Sequence, residues 1–389
     1  MRAGALRKCG GGDRPLQPVQ LSSEFQQDAL GGKARFKQHL RKVGSGEHTS
    51  KGLSRDEARD ALALMLTGQA SPAQIGAFLI AHRIRRPEPQ ELAGMLDYYR
   101  EQGPAISSLK PAICFGMPYD GRTRTAAVFP LTALVLASAD IPVVLQGGAR
   151  MPIKYGITPL ELFGLLGIRL EGQSLAQLQA SLDQHQLALA HQPDHFPAAD
   201  NLTSYREELG KRPPIASLEL LWTPHRGEHV LVSGFVHPPT ESRCWKALGL
   251  AGETNIVTIK GLEGSTDIPT SRAGISSHVR NGSPERVILH PRDHGCFGSD
   301  VIWSGEEAWQ VMAEAALRGM GDLARAVVWN AGCYLWFLDP AQELGNCLLR
   351  VKDLLRSGAV LAKREQLRSW SANIGTPTPA LPDACLSAG

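Results

Sequence analysis

Residues 113–156 read ICFGMPYDGRTRTAAVFPLTALVLASADIPVVLQGGARMPIKYG. Ile113-Cys114-Phe115 is a short apolar run of the kind a buried strand gives. Gly116 to Gly121 follows as a loop, and Leu131 to Ala139 is a compact apolar helix. Pro142 to Leu145 is a second strand, and it runs into Gln146-Gly147-Gly148-Ala149-Arg150. The unit is strand, Gly loop, helix, strand, Gly loop. Parallel-sheet proteins place ligands at such loops, beyond the carboxyl ends of the strands. Glycine lets backbone amides approach an anion, and a helix start adds partial positive charge. Arg122, Arg124, Arg150 and Lys154 add full charges nearby. A βαβ unit with ordinary turn glycines fits the same letters, and a Gly loop alone does not separate the two.

On the amino-terminal side, residues 1–35 are rich in Gly, Pro, Gln and Ser and read as a disordered tail. A helical domain over 36–105 follows, beginning with a short helix from Phe36 to Val43. Ser54-Arg-Asp-Glu57 and Ser71-Pro-Ala-Gln74 are capping boxes that open two further helices. A fourth runs from Pro89 to Gln102. His82 sits on an apolar stripe and reads as a packed core histidine. The stripes between Leu53 and Tyr99 exceed what one small bundle buries, so a homodimer through this domain is expected.

On the carboxyl-terminal side, strands at Leu187–Ala190, Val230–Val236, Asn255–Ile259 and Val287–His290 alternate with helices. Those helices cover Pro159–Leu166, Leu175–His185, Ile215–Leu221, the region of Trp245, Glu306–Arg318, Leu323–Leu338 and Gln342–Gly358. This alternation predicts an α/β domain over 106–370 with a central, mostly parallel sheet flanked by helices. Residues 371–389 read as a loose tail.

The chain has 389 residues, with 41 Lys and Arg against 38 Asp and Glu, so no whole-chain polycation argues for nucleic acid. The 7 cysteines are odd in number and form no CxxC pair, which suits reduced thiols in a cytoplasmic protein and suggests no zinc site. The longest apolar run, Val128 to Ala139, is too short to span a bilayer. The amino terminus lacks the apolar segment of a signal peptide.

Several segments, taken together and in order, resemble anthranilate phosphoribosyltransferase and its relatives in the nucleoside phosphorylase-like glycosyltransferase family. Leu53 to Ala58, Gly68 and Ala73 to Ile84 resemble the family's first helical hairpin. Gly116–Gly121 stands where the family has Gly-Thr-Gly-Gly-Asp-Gly, and Gly147–Gly156 stands at its second loop. Tyr205–Arg212 resembles the Arg-rich turn, and Gly261–Gly264 the acidic loop. Leu289–Gly295 and Trp329–Gly332 resemble two late segments. The resemblance implies phosphoribosyl transfer from phosphoribosyl pyrophosphate to anthranilate with Mg²⁺, a step of tryptophan biosynthesis. It places substrate or anion contacts at Gly116, Asp120, Gly121, Gly147, Gly148, Lys154, Arg206 and Arg212, and the metal at Asp267; Arg122, Arg124 and Arg150, which are not the family's residues, join the anion-binding candidates through their charge beside the same loops. Arg206 falls at the turn that faces the anthranilate carboxylate in the family.

This chain departs from the family pattern in one direction. Gly116-Met117-Pro118-Tyr119 replaces Gly-Thr-Gly-Gly. Pro118 removes an amide donor, and Tyr119 puts bulk where backbone should approach. The Lys, His and Asn of Lys-His-Gly-Asn-Arg are lost from Leu145–Ala149. Thr266-Asp267 replaces the metal-holding Asp-Glu pair, so one carboxylate is gone. Amides and carboxylates decrease while arginines accumulate. Two readings follow: a phosphoribosyltransferase with a weakened Mg²⁺ site, or a non-catalytic relative whose basic cleft holds single-stranded nucleic acid.

Overall fold

The computed structural model describes residues 23–46 and 48–373. Four helices lead the chain: α1 Ser23–Val43, α2 Arg55–Leu66, α3 Pro72–Arg85 and α4 Pro89–Gln102. Both capping boxes form. The Glu57 amide donates to Ser54 Oγ at 3.2 Å while Ser54 N–H donates to Glu57 Oε2 at 2.9 Å. Ser71 and Gln74 exchange the same two bonds at 3.3 and 2.9 Å. Each box satisfies two amides that a helix start leaves without intrahelical partners.

The α/β part follows as β1 Ala112–Gly116, α5 Phe129–Ser138, β2 Val143–Gly147, α6 Pro159–Leu165, α7 Leu175–His185 and β3 Leu187–His191. Three short helices come next, α8 Gln192–His195, α9 Pro197–Asp200 and α10 Ser204–Leu209, then α11 Leu218–Leu221 and β4 His229–Gly234. The chain continues as α12 Pro238–Leu250, β5 Asn255–Ile259, β6 Gly274–Arg280 and β7 Ser283–Leu289. It closes with α13 Glu306–Ala316, α14 Gly321–Leu338, α15 Leu344–Arg356 and α16 Ala359–Ala372.

One seven-stranded sheet has the order β3-β2-β1-β4-β5-β6-β7. The first five strands are parallel. β6 and β7 add an antiparallel edge. The chain winds outward from β1 to β3, then returns to place β4 on β1's other side. The β1–β4 boundary is therefore the switch point, and the crevice beyond its carboxyl end is where such sheets take ligands.

Alternate residues of β1 serve two cores. Ile113 and Phe115 pack with α5 and α14. Ala112 and Cys114 pack on the other face with Leu62, Phe78 and Leu92 of the helical domain and with Leu248 of α12. The helical domain joins this core within the chain, with α4 packed on α12 and α11. Ile84 is the large apolar side chain left exposed among the described residues of this domain.

Four sequence readings need correction. The helix at Phe36 starts at Ser23, so the expected tail gives way to helix well before residue 36. Gly32 lies inside that helix, where a Cβ would meet the Gln69 side chain at 2.7 Å; it is a packing glycine. Residues 1–22 and 374–389, which hold the rest of both expected tails, lie outside the described residues. Second, β6 was not anticipated, because Gly274-Ile-Ser-Ser-His-Val-Arg280 is polar at buried positions. Its signal lies in the turn: Asn281 and Gly282 both have positive φ (48° and 79°), the residue pair that closes a two-residue hairpin. Third, α16 was missed and the expected domain end at 370 falls within it. Fourth, the helix expected over Ile215–Leu221 is split into a 3₁₀ turn, Pro214–Ser217, and α11.

Glu91 ties the helical domain together. Its carboxylate accepts from the amides of Leu53 (3.0 Å) and Glu88 (2.7 Å) and pairs with Arg85 and with His82 at 3.3 Å. Burial alone would raise its pKa, but the contacts from His82 and Arg85 outweigh it and pull it down to about 2. The folded state binds this proton less readily than the unfolded chain. The contribution is therefore complete above the ordinary carboxylate range and is lost as pH falls toward 2. Glu91→Ala should cost about 3–5 kcal/mol, because Arg85, the buried Leu53 amide and the Glu88 amide lose their partner. Denaturant unfolding near neutral pH measures this; a loss under about 1 kcal/mol contradicts the assignment.

Candidate active cleft

Both glycine loops close on themselves. A Cβ on Gly116 would lie 2.1 Å from the Leu220 carbonyl, so β1 ends pressed against the chain entering α11. Gly121 has φ +75°, and a Cβ there would meet the backbone of Gly156 at 2.4 Å. A Cβ on Gly156 would meet Arg122 N at 2.3 Å in return. The Gly156 amide donates to the Asp120 carbonyl at 2.9 Å. Gly147 and Gly148 pack against Pro159 and against Met151 and Tyr119. These glycines allow backbone to meet backbone and side chain. They fit the reading as packing and turn glycines better than the reading as a phosphate cradle.

Internal carboxylates take the amides that remain. Tyr119 N–H donates to Glu219 Oε2 at 3.0 Å. Tyr119 is fully buried and its hydroxyl oxygen accepts from Trp222 Nε1 at 3.0 Å. The Glu263 carboxylate receives three successive amides, Thr123 at 3.4 Å, Arg124 at 3.1 Å and Thr125 at 2.9 Å. Thr125 Oγ1 donates to it as well at 2.9 Å. Three cations face the same group, Arg122 at 3.9 Å, Arg124 at 3.6 Å and Lys154 at 3.8 Å. Burial opposes its charge, yet these amides and cations hold its pKa below the ordinary value. Successive amides with flanking cations form an anion nest, and Glu263 fills it.

The arginines expected in one groove separate into classes. Arg122 is buried, with its guanidinium on Asp267 and on Thr125 Oγ1. Asp267 also accepts from Val128 N–H at 2.8 Å, at the start of α5. Arg206 is buried and paired with Glu219, and burial lowers its pKa to about 10. Arg150 bridges Glu161 and Glu306, each at 2.5 Å. Lys154 is half-buried, which lowers its pKa, and it donates to the Gly121 carbonyl at 3.4 Å. Arg124 is exposed. Only Arg212 reaches the cleft between the domains, where it pairs with the buried Asp120.

That cleft has a volume of about 780 Å³ and is lined by Arg83, Arg86, Arg212 and Arg243. No acidic side chain lines it among the described residues. Its prolines, Pro87 on the helical side and Pro213, Pro214, Pro238 and Pro239 on the other, stiffen both walls. The sequence reading missed Arg83, Arg86 and Arg243. They lie on α3, just past its end and on α12, and only packing of bundle against sheet brings them together.

The protein donors for Mg²⁺ are few. Asp267 is engaged by Arg122 and Val128 N–H, and Glu263 by the nest. Asp120 Oδ1 is buried without a hydrogen-bond partner, one carboxylate oxygen that would hold a largely hydrated Mg²⁺ mainly through substrate phosphates. The buried pair gives a direct test. Arg122→Ala should cost about 3–5 kcal/mol by leaving Asp267 buried and unpaired, whereas Arg150→Ala should cost about 1 kcal/mol or less at its exposed bridge. Equal losses in denaturant unfolding would contradict the burial difference.

Residues 37–103 match the helical bundle domain of the glycosyl transferase family and residues 122–361 match its a/b domain. The anthranilate phosphoribosyltransferase of Methylobacterium nodulans is 28% identical over 342 residues, covering 85% of this chain and 97% of that protein. The enzyme of Thermomicrobium roseum is 29% identical, covering 85% and 96%. Among solved structures, the anthranilate phosphoribosyltransferase of Thermus thermophilus superposes with a TM-score of 0.71 at 21% identity, over 87% of this chain and 99% of that one. The Saccharomyces cerevisiae enzyme in complex with PRPP and Mg superposes with a TM-score of 0.75 at 15% identity, over 88% and 99%. The chain belongs to the glycosyl transferase family and is an anthranilate phosphoribosyltransferase-like member of it, with both the helical bundle and the a/b domain.

Proposed function

We propose that this protein is an anthranilate phosphoribosyltransferase-like phosphoribosyl transferase whose Mg²⁺-dependent activity is weak, and, as a second reading, that its interdomain cleft holds a polyanion, single-stranded nucleic acid. The observation that carries this reading is the internal occupation of the site: Glu263 in the amide nest and Arg122 on Asp267. A substrate pyrophosphate would have to displace a carboxylate held by three amides, and its metal would meet a guanidinium. Losing one preorganised charge contact in such a site costs about 10²–10³-fold in rate, and here several are redirected at once. The cleft beside it keeps four arginines with no acidic residue among them. Phosphate contacts of this kind bind without reading bases.

The relatives favour the transferase reading, in which phosphoribosyl pyrophosphate and Mg²⁺ bind as in the yeast enzyme and transfer to anthranilate survives. No helix among the described residues is long and apolar enough to cross a membrane, and the proposed setting is the cytoplasm. A homodimer through the helical domain is part of the proposal.

One pair of assays separates the readings. An oligonucleotide titrated at several salt concentrations should bind more weakly as salt rises, with a slope of about −0.7 for each phosphate contacted. Arg83→Ala with Arg243→Ala should make that slope shallower by about 1.4, and Arg150→Ala should leave it unchanged. Robust Mg²⁺-dependent turnover of anthranilate overturns the weakened site, and no oligonucleotide binding at low salt overturns the second reading.

A further inference from the structure

At the opposite end of β4 from the cleft, Cys114 meets two histidines more than 100 residues further along the chain. Cys114 lies in the middle of β1, His225 on the approach to β4, and His229 is β4's first residue. One ligand atom from each lies within 4.8 Å of the others. The two Nδ1 atoms are 3.5 Å apart. Two nitrogens on one tetrahedral zinc, with bonds of about 2.0–2.1 Å, stand roughly 3.4 Å from each other.

The surrounding hydrogen bonds orient both rings. Ser108 Oγ donates to the Lys110 carbonyl at 2.6 Å, so toward His225 Nε2, 2.9 Å away, it acts as acceptor. That fixes the His225 proton on Nε2 and leaves Nδ1 as a bare lone pair aimed at His229. His225 is buried, and Gly227 packs on its ring: a Cβ there would meet Cε1 at 3.0 Å. On the other side, His229 Nε2 is 3.0 Å from Glu253. Glu253 is anchored in turn by Arg100 at 2.5 Å. A carboxylate behind a histidine is the arrangement that orients metal-bound imidazoles. His229 Nδ1 now gives its proton to the Gly227 carbonyl at 2.8 Å, a bond that a metal would replace.

Cys114 is fully buried, and burial pushes its thiol pKa up, so without a metal it is an inert thiol. A metal changes that by coordinating the thiolate directly. The groups facing the site are Glu253 and Glu228 on one side of the charge balance and Arg100, Arg226 and Arg280 on the other. Arg100 is held by Glu253, and Arg226 donates to the carbonyls of Arg100 (2.6 Å) and Pro104 (3.4 Å). A cavity of about 530 Å³, lined by His225, His229 and Glu253 among others, opens beside the rings. It leaves room for a fourth ligand from solvent.

We propose that Cys114, His225 and His229 form a site for one borderline-soft divalent cation, zinc in the first instance, with Glu253 orienting His229 and a water in the fourth position. Binding forms one sulfur–metal and two nitrogen–metal bonds. It releases to solvent the Cys114 thiol proton and the His229 Nδ1 proton, so affinity rises with pH. The site staples β1 to the entry of β4, the strand pair that carries the cleft at its other end.

The test uses the metal-free, full-length protein titrated with Co²⁺ and then with Zn²⁺. One equivalent of Co²⁺ should give tetrahedral visible bands and a thiolate-to-cobalt charge-transfer band, both abolished by Zn²⁺. Cys114→Ser should remove the charge-transfer band. Glu253→Gln should keep the band and weaken binding by about 10–100-fold. Circular dichroism of each variant checks the fold, and if Cys114→Ser does not fold, the wild-type stoichiometry and Glu253→Gln decide. Absence of the charge-transfer band in the wild type, its survival in Cys114→Ser, or unchanged affinity in Glu253→Gln overturns the site.

Discussion

A guanidinium and a carboxylate buried together, Arg122 on Asp267, hold the loops beside the cleft. Neither charge is tolerable there alone, because desolvating an ion costs several kcal/mol and only a partner in good geometry repays it. Satisfying the pair draws the 121–125 loop onto the acidic 261–267 segment. That approach puts three successive amides on Glu263. It also presses Gly121 against Gly156, so the second glycine loop is fixed by the first. One buried pair thus determines which donors face solvent and which are spent inside.

The consequence is a division of positive charge. Arginines on the loops after β1 and β2, and Arg206, are consumed by Asp267, Glu263, Glu219, Glu161 and Glu306. Arginines on α3, just past its end and on α12 line the open cleft. On the scaffold of the glycosyl transferase family, the polar groups of these loops pair with one another. Fold and family do not settle chemistry; the site does. Here the site's donors are matched by the chain's own acceptors.

Much of the architecture was legible in the letters. Asn255–Ile259, Leu175–His185 and Pro89–Gln102 were delimited by period, caps and flanking prolines, and the structure places the elements at those residues. Failures had local causes. β6 carries Ser276, Ser277 and His278 at buried positions, which defeats an apolar-alternation test, although its Asn-Gly turn was a usable sign. The segment before Phe36 was read as tail for its Gly and polar content, although the glycine at 32 serves close packing on Gln69.

Sequence alone determined the elements, their alternation, the family and the loops at which a ligand site would lie. These depend on neighbours within a few residues, where periodicity, caps and Gly or Pro act directly. Only the tertiary structure decided which charges remain available. Whether Arg122 faces a ligand or Asp267 depends on a partner 145 residues away, and nothing in the Arg-Thr-Arg-Thr string records that distance. The same holds for Cys114. With no second cysteine at metal-binding spacing it reads as a plain core thiol, and it joins His225 and His229 only because parallel pairing sets Cys114 opposite Leu231. Electrostatic roles follow from through-space distance and burial, and those come into being when the sheet is assembled.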